Sequence, residues 1–321
     1  MRDFWLPVPT IIGIIARMIT VVGSLNMDLM VDAPSLPQPG ETVRGRNFHR
    51  SPGGKGANQA CAVARMGMKC ALIGAVGDDP FSEELLASLR ADGIDVAAVT
   101  RRANTSSGVA MITVDAAGQN QIVLAAGAND TVSPLEIAQH GAILRESKAV
   151  IVQLEIPLDA VEAAVRQAKQ GRAIVVLNPA PCITLADELL RLCDWIIPNE
   201  IEASQLTGVT VRTADDAALA ARRLRERSGG ARIAVTLGAA GVWIEMPQFS
   251  GLVPGFAVQA VDSVAAGDTF IGTFTTRLME GAAPHEAARF ACAAAAISVT
   301  RPGAQASVPR RSEVEAWLRE R

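Results

Sequence analysis

Short runs of β-branched and aliphatic residues alternate with longer alanine-rich runs of helical periodicity from Met18 onward, and this alternation restricts the fold more than any other feature. Runs at 19–22, 70–76, 150–154, 173–177, 195–198 and 233–237 read as buried strands. Runs at 56–66, 81–91, 158–170, 214–227, 267–280, 284–299 and 312–319 read as helices. Gly67, Gly93 and Gly171 stand just past three of them, where a left-handed residue commonly ends a helix. Parallel strands need crossovers, and helical crossovers cover both faces of a sheet. The expected fold class is therefore α/β, a doubly wound and mostly parallel sheet flanked by helices.

Two segments do not fit the alternation. Residues 28–49 are rich in Pro and Gly, and residues 107–126 read as a hairpin, with strands at 109–114 and 121–124 joined by a turn at 115–118. A parallel sheet has no place for them, so they are expected to form a small separate β layer. Ligands of open α/β sheets bind outside the carboxyl ends of the strands, where such a layer would act as a lid. The expected organisation is one α/β domain over 18–321 with lid segments at about 28–49 and 107–126. Residues 4–16 are apolar and follow Arg2, as in a signal peptide, but Asp3, Pro7 and Pro9 interrupt them and no small-x-small cleavage site follows before Met18. Residues 1–17 are accordingly expected to be an N-terminal extension outside the fold.

An apolar fraction of 49% with 20% charged residues supplies a core and excludes a mostly disordered chain. Thirty basic against 33 acidic residues leave a charge of −3, and aromatics are 4% with no Tyr. Neither a nucleic-acid surface nor an anionic membrane is an expected partner. Cys61, Cys70, Cys182, Cys193 and Cys292 form no CxxC pair and read as reduced core thiols of a cytoplasmic protein. His49, His140 and His285 are unclustered and read as surface residues, not metal ligands. The P-loop is excluded because Gly54-Lys55 is followed by Gly56, and the dinucleotide fingerprint, HExxH and GxSxG are missing as well.

The most informative segment is 261–270, VDSVAAGDTF, where small residues run into a long apolar helix. Backbone amides at a helix N-terminus, with the macrodipole behind them, suit a phosphate, and Ala265, Ala266 and Gly267 leave room for its approach. Asp268 beside that anion would be unfavourable unless it removes a proton from an attacking hydroxyl. The local sequence leaves open whether it is that base or only a favourable charge or cap at a helix start. Gly53-Gly54-Lys55-Gly56-Ala57-Asn58 opens a helix with tight glycines and with donors suited to a polyhydroxylated sugar. Asn26 and Asp28 follow the first strand and project the same way if extended, although an Asx-turn would also explain them. Gln153-Leu154-Glu155 and Pro198-Asn199-Glu200-Ile201-Glu202 place acids at strand ends, where Mg²⁺ is held through water. Thr236, Gly238 and Gly241 end another strand in a turn able to lie along a nucleotide.

These residues fall in an ordered set: GSLNMD (23–28), PGETV (39–43), GGKGANQA (53–60), LAAGAN (124–129), QLE (153–155), LNPAP (177–181), PNEIEA (198–203), VTLGAAGVW (235–243), DSVAAGDTF (262–270) and GAQASVP (303–309). In this the chain resembles the ribokinase group of PfkB-type carbohydrate kinases, from about Met18 to Arg319. The resemblance implies ATP-dependent phosphorylation of D-ribose at its 5-hydroxyl, with Asp268 as base and the amides of Ala265, Ala266 and Gly267 as anion hole. It implies sugar contacts from Asn26, Asp28, Gly54, Lys55, Asn58 and Glu155. Asn199 and Glu202 would stand near Mg²⁺ and the phosphates, while Thr236, Gly238, Gly241 and Gly267 would line the nucleotide. A K⁺ activator would sit at Asp262, Val264, Gly303 and Ser307, and the lid would also form a homodimer contact. Three positions depart from the family pattern, all on the nucleotide side: Ile271, Ala239-Ala240 and Cys292. The alternatives are another sugar or nucleoside kinase of the family, such as a deoxyribokinase or fructokinase, and a catalytically silent sugar-binding protein on the same fold.

Overall fold

Strand β1 (Met18–Val22) buries Ile19, Val21 and Val22 completely and lies in parallel between β4 (Lys69–Gly77) and β8 (Ala149–Val152). A computed structural model describes residues 18–321, so the expected N-terminal extension lies outside the described residues. Beyond β8 the sheet continues in parallel through β9 (Ile174–Leu177), β10 (Trp195–Ile196) and β11 (Arg232–Thr236). It ends on an antiparallel hairpin, β12 (Gly241–Met246) and β13 (Phe249–Pro254), and on the other side β5 (Val99–Arg102) pairs with β4. The nine-stranded order is β13-β12-β11-β10-β9-β8-β1-β4-β5. The chain winds one way from β1 to β4 and the other way from β8, so a crevice opens where the order reverses, at the carboxyl ends of β1 and β8.

Both faces of this sheet are apolar. Val22, Val150, Val152, Val175 and Leu177 enter one core, while Ile19, Val21, Ile151 and Val176 enter the other, as the two-residue period of a strand requires. The helix Lys55–Arg65 approaches the end of β1 closely: a Cβ on Gly56 would lie 2.6 Å from the carbonyl carbon of Gly23. The helix Ala266–Met279 crosses it at Gly272, where a Cβ would lie 2.6 Å from the Gln59 oxygen. These contacts bring the first turns of the two helices together over the crevice. Among the described residues, no helix is long and apolar enough to cross a membrane.

The small sheet has four strands in the order β3 (Phe48–Gly53), β2 (Asn26–Asp32), β6 (Gly108–Val114) and β7 (Asn120–Ala125). It extends beyond 28–49 at both ends because β2 and β3 pair from Asn26 opposite Gly53 to Val31 opposite Phe48. The hairpin β12–β13 is absent from the expected strands, since Gly241 and Gly251 thin the alternation. Strand β10 stops before Pro198, which has no N–H for the ladder, and β8 stops at Val152, after which the Leu154 amide donates to Ala180 O at 2.9 Å. Short helices at Pro134–Gln139, Gly141–Glu146, Asp187–Leu190 and Glu200–Thr207 also lie outside the expected set. They are too short to display a period. Cys182 is only half-buried, unlike the other four thiols, because it lies in the loop after β9 and not in a strand or helix; it is not a core thiol.

Candidate active site

Asn26 and Asp28 are alternate residues of β2, so their side chains share one face, and both are buried. They lie in a paired strand, which overturns the Asx-turn alternative. Asn129 holds this segment, accepting from the Leu25 amide at 3.0 Å and donating to Leu25 O at 3.1 Å and to Asn26 Oδ1 at 2.8 Å. With its oxygen occupied, Asn26 turns its Nδ2 toward Glu155 Oε2, 3.4 Å away. The same oxygen accepts from Ser24 Oγ at 2.6 Å and from the Lys55 amide at 3.3 Å. Glu155 therefore ties the end of β8 to the end of β1 and to the helix that starts at Lys55. Gly54 caps that helix at φ 91°, and a Cβ there would meet Asn26 N at 2.7 Å, so no other residue fits.

Charge is concentrated around Lys55. Burial alone would depress its ammonium, but Asp268, Glu155, Glu202 and Asp28 surround it and hold it above its ordinary value. Asp28 is pushed up to about 7, first by burial and then by Glu155, Asp268 and Asp262, against the pull of Lys55. Unfolded Asp28 would release its proton near 3.8, so between that pH and about 7 the folded chain binds more protons and loses stability as pH rises. Asp28→Asn is expected to raise the melting temperature of the sugar-free protein more at pH 8 than at pH 5. Scanning calorimetry at the two pH values checks this, and an equal shift at both would contradict it.

Asp268 lies in the first turn of the helix Ala266–Met279 and is 7% exposed. Its Oδ2 accepts from Asn58 Nδ2 at 3.0 Å and its Oδ1 from Gln59 Nε2 at 2.8 Å. The helix has no side-chain cap, so Asp268 is not the capping residue that its position also allowed. Burial raises its carboxyl above the ordinary range, while Lys55, Asn58 and Gln59 pull the other way. Ala265 adopts a left-handed conformation at φ 60°, which turns the chain into the helix. A methyl group on Gly267 would meet nothing within 4 Å, so the backbone at this helix start faces open space. Of the three amides assigned to the anion hole, that of Ala266 also donates to Ser263 O at 3.3 Å.

Other site residues form two further groups. Asp262 accepts from the Val264 amide at 2.9 Å and from the Gly303 amide at 2.8 Å, bringing together three of the four residues expected to hold K⁺. Ser307 is buried nearby in sequence and donates to Ala304 O at 2.8 Å. Asn199 and Glu202 close a capping box on the helix Glu200–Thr207, with the Asn199 amide and Nδ2 donating to the two Glu202 oxygens at 2.9 and 3.0 Å. Among the described residues, no group of three or more His, Cys, Asp or Glu side chains is placed to hold a metal ion. Thr236 ends β11 and Gly238 opens the turn after it at φ 50°. Gly241, at φ 108°, is required by β13, since a Cβ would lie 2.2 Å from Val253 O. Ile271 and Cys292 are core residues of this half of the molecule, and burial pushes the Cys292 thiol up to about 12.

Ser24, Gln59, Asn129 and Asn178 were not anticipated as site residues. All four lie inside the quoted motifs, yet an uncharged polar side chain carries no sign in the sequence of what it will face. Comparison with known proteins adds to this geometry. A family model described as pfkB family carbohydrate kinase matches residues 16–311. A ribokinase of Haemophilus influenzae is 44% identical over 94% of this chain and 98% of that protein, and a deoxyribokinase of Salmonella typhi is 37% identical over 94% and 98%. The structure of Arabidopsis thaliana ribokinase complexed with ribose and ATP superposes with a TM-score of 0.87 at 31% identity, covering 94% of this chain and 99% of that one. By the family model over residues 16–311 and by relatives of this identity and coverage, this chain belongs to the pfkB family of carbohydrate kinases.

Proposed function

We propose that this protein transfers the γ-phosphoryl group of MgATP to the 5-hydroxyl of D-ribose, giving D-ribose 5-phosphate and ADP. The observation that carries this is the position of Asp268, a buried carboxylate at a helix N-terminus, hydrogen-bonded to the same helix that presents Lys55. Asn26, Asp28, Gly54, Lys55, Asn58 and Glu155 surround the sugar, and Asp268 takes the proton of the primary hydroxyl as its oxygen attacks phosphorus. The bond from the γ-phosphorus to the bridging oxygen breaks, and ADP leaves. The amides of Ala265, Ala266 and Gly267 and the helix dipole stabilise the negative charge on the transferring group. Thr236, Gly238 and Gly241 lie along the nucleotide with Asn199, and Glu202 would hold its Mg²⁺ through water. Asp262, Val264, Gly303 and Ser307 form the K⁺ site, a role supported by the bonds that Asp262 makes to the two loops. The small sheet excludes water from the transfer.

A coupled ADP-release assay over ribose, deoxyribose and fructose, with and without K⁺, tests this. The expected result is the highest kcat/KM on ribose and a K⁺-dependent rate. A higher value on deoxyribose, the substrate class of the Salmonella relative, would move the assignment within the family. No ADP release with any sugar would favour a silent sugar-binding protein.

The enzyme is proposed to work in the cytoplasm, where its free thiols stay reduced, as a homodimer joined through the lid. Strand β7 is an exposed edge carrying Ile122, Val123 and Leu124 at 55%, 68% and 42% exposure, next to Met111 at 59%. An apolar edge of this kind is a pairing surface, and a second copy presents the same one. Val123→Asp is expected to convert the sedimenting species from dimer to monomer in analytical ultracentrifugation. A parent that sediments as a monomer at micromolar concentration would refute the dimer.

A further inference from the structure

We propose that Gln59 is a positioning residue of the phosphotransfer base: a chain of buried side-chain amides, anchored on a backbone carbonyl, allows it only to donate to Asp268. The inference rests on the assignment of Asp268 as base.

The anchor lies at the end of β10. The carbonyl of Ile197 can only accept, and Asn178 donates to it through Nδ2 at 3.1 Å. Asn178 must therefore turn Oδ1 the other way, toward Gln59, whose Nε2 donates to it at 3.1 Å. The second N–H of the same Nε2 donates to Asp268 Oδ1 at 2.8 Å, and Gln59 Oε1 accepts from Gln153 Nε2 at 2.6 Å. All polar atoms of Gln59 are thus used. Turning its amide over would set its oxygen against Asn178 Oδ1 and Asp268 Oδ1, two acceptors, in a place with no water exposure: Gln59 and Gln153 are fully buried and Asn178 nearly so. Asn58 bonds the other oxygen of Asp268 but has no comparable anchor, since its own Oδ1 is buried without a partner.

The chain does two things for a base. It selects one rotamer of the carboxylate, and it places a donor that favours the ionised form. The charged groups facing Asp268 are Lys55 from the helix that carries Gln59, Glu155 after β8, Asp28 on β2 and Glu202 on the helix Glu200–Thr207. The three acids oppose ionisation of Asp268, so a fixed donor offsets part of their effect. Three strand ends converge on Gln59, through Gln153, Asn178 and Ile197. The sheet's register is thereby transmitted to a group on a helix.

The test is the pH dependence of the single-turnover phosphorylation rate at saturating ribose and MgATP. Gln59→Met keeps the shape and removes the donor, and its acid limb is expected to move up by about one pH unit, with ribose affinity by calorimetry unchanged. Asn178→Ala leaves Asp268 untouched and frees the Gln59 amide to rotate, so the limb moves the same way by less. Circular dichroism and thermal melting establish that each variant is folded, and Asn178→Ala decides if Gln59→Met is not. A folded variant with an unmoved limb overturns the proposal, as does a fall in rate that is uniform over pH and matched by loss of ribose affinity. Asp268→Asn, run alongside, separates the two layers: if it abolishes turnover while the limbs stay in place, only the role of Gln59 fails. If it retains turnover, the base itself is misassigned.

Discussion

Asp268→Asn is expected to lower kcat by about 10²–10⁴-fold while the KM for the sugar changes far less. The substitution keeps the volume of the side chain and removes its capacity to take a proton. Asn58 Nδ2 and Gln59 Nε2 now donate to a carboxylate from two directions, which holds it at the start of the Ala266–Met279 helix without a cap of its own. The replacement amide keeps one acceptor for these donors and the same shape, so the sugar contacts proposed for Lys55, Asn26 and Glu155 are expected to persist. Steady-state kinetics on purified protein check the outcome, and turnover within a few-fold of the parent would remove Asp268 from the base role.

Phe274→Ala is expected to cost about 3–5 kcal/mol of stability. Phe274 is fully buried on the helix Ala266–Met279 that carries Asp268, edge-on to Trp195 with ring centroids 4.9 Å apart and stacked on Phe270 at 5.5 Å. Removing its ring leaves a cavity between this helix and β10, in a sheet that cannot close over it because its strands are paired on both sides. Urea unfolding is expected to show a lower midpoint with an unchanged slope. The folded fraction should keep most of its kcat, since Asp268 is tied to Gln59 and Asn58 on a different helix. A loss below 1 kcal/mol would mean that the core around Trp195 repacks freely.

Much of the architecture was legible before any coordinates. The helices Leu158–Gln170 and Ala214–Arg227 occur at the expected residues because each is long enough to show its period and begins or ends on a clear signal: Pro157 and Gly171 for the first, the Thr213 capping box for the second. Strands β1, β4, β9 and β11 were legible because a buried parallel strand is a continuous apolar run. The hairpin β12–β13 was not, because Gly241 interrupts its alternation for a reason seen only from β13, whose carbonyl occupies the space of a side chain.

The candidate site divides in the same way. Lys55, Asn58, Asp268 and Asn26 stand in short motifs whose residue types marked them as candidates, while the roles proposed for them follow from the family resemblance. Gln59, Asn129, Asn178 and Gln153 hydrogen-bond the candidate residues or one another, yet nothing local marks their partners. A side-chain amide can donate or accept, and which it does is set by partners up to 210 residues away, such as Gln153 for Gln59 and Asp268 for Asn58. The amino-acid order by itself determined the kind of fold and the chemical groups available, since both follow from local periodicity and residue type. Only the tertiary structure decided which oxygen faces which nitrogen, because hydrogen-bond direction inside a buried network depends on every neighbour at once.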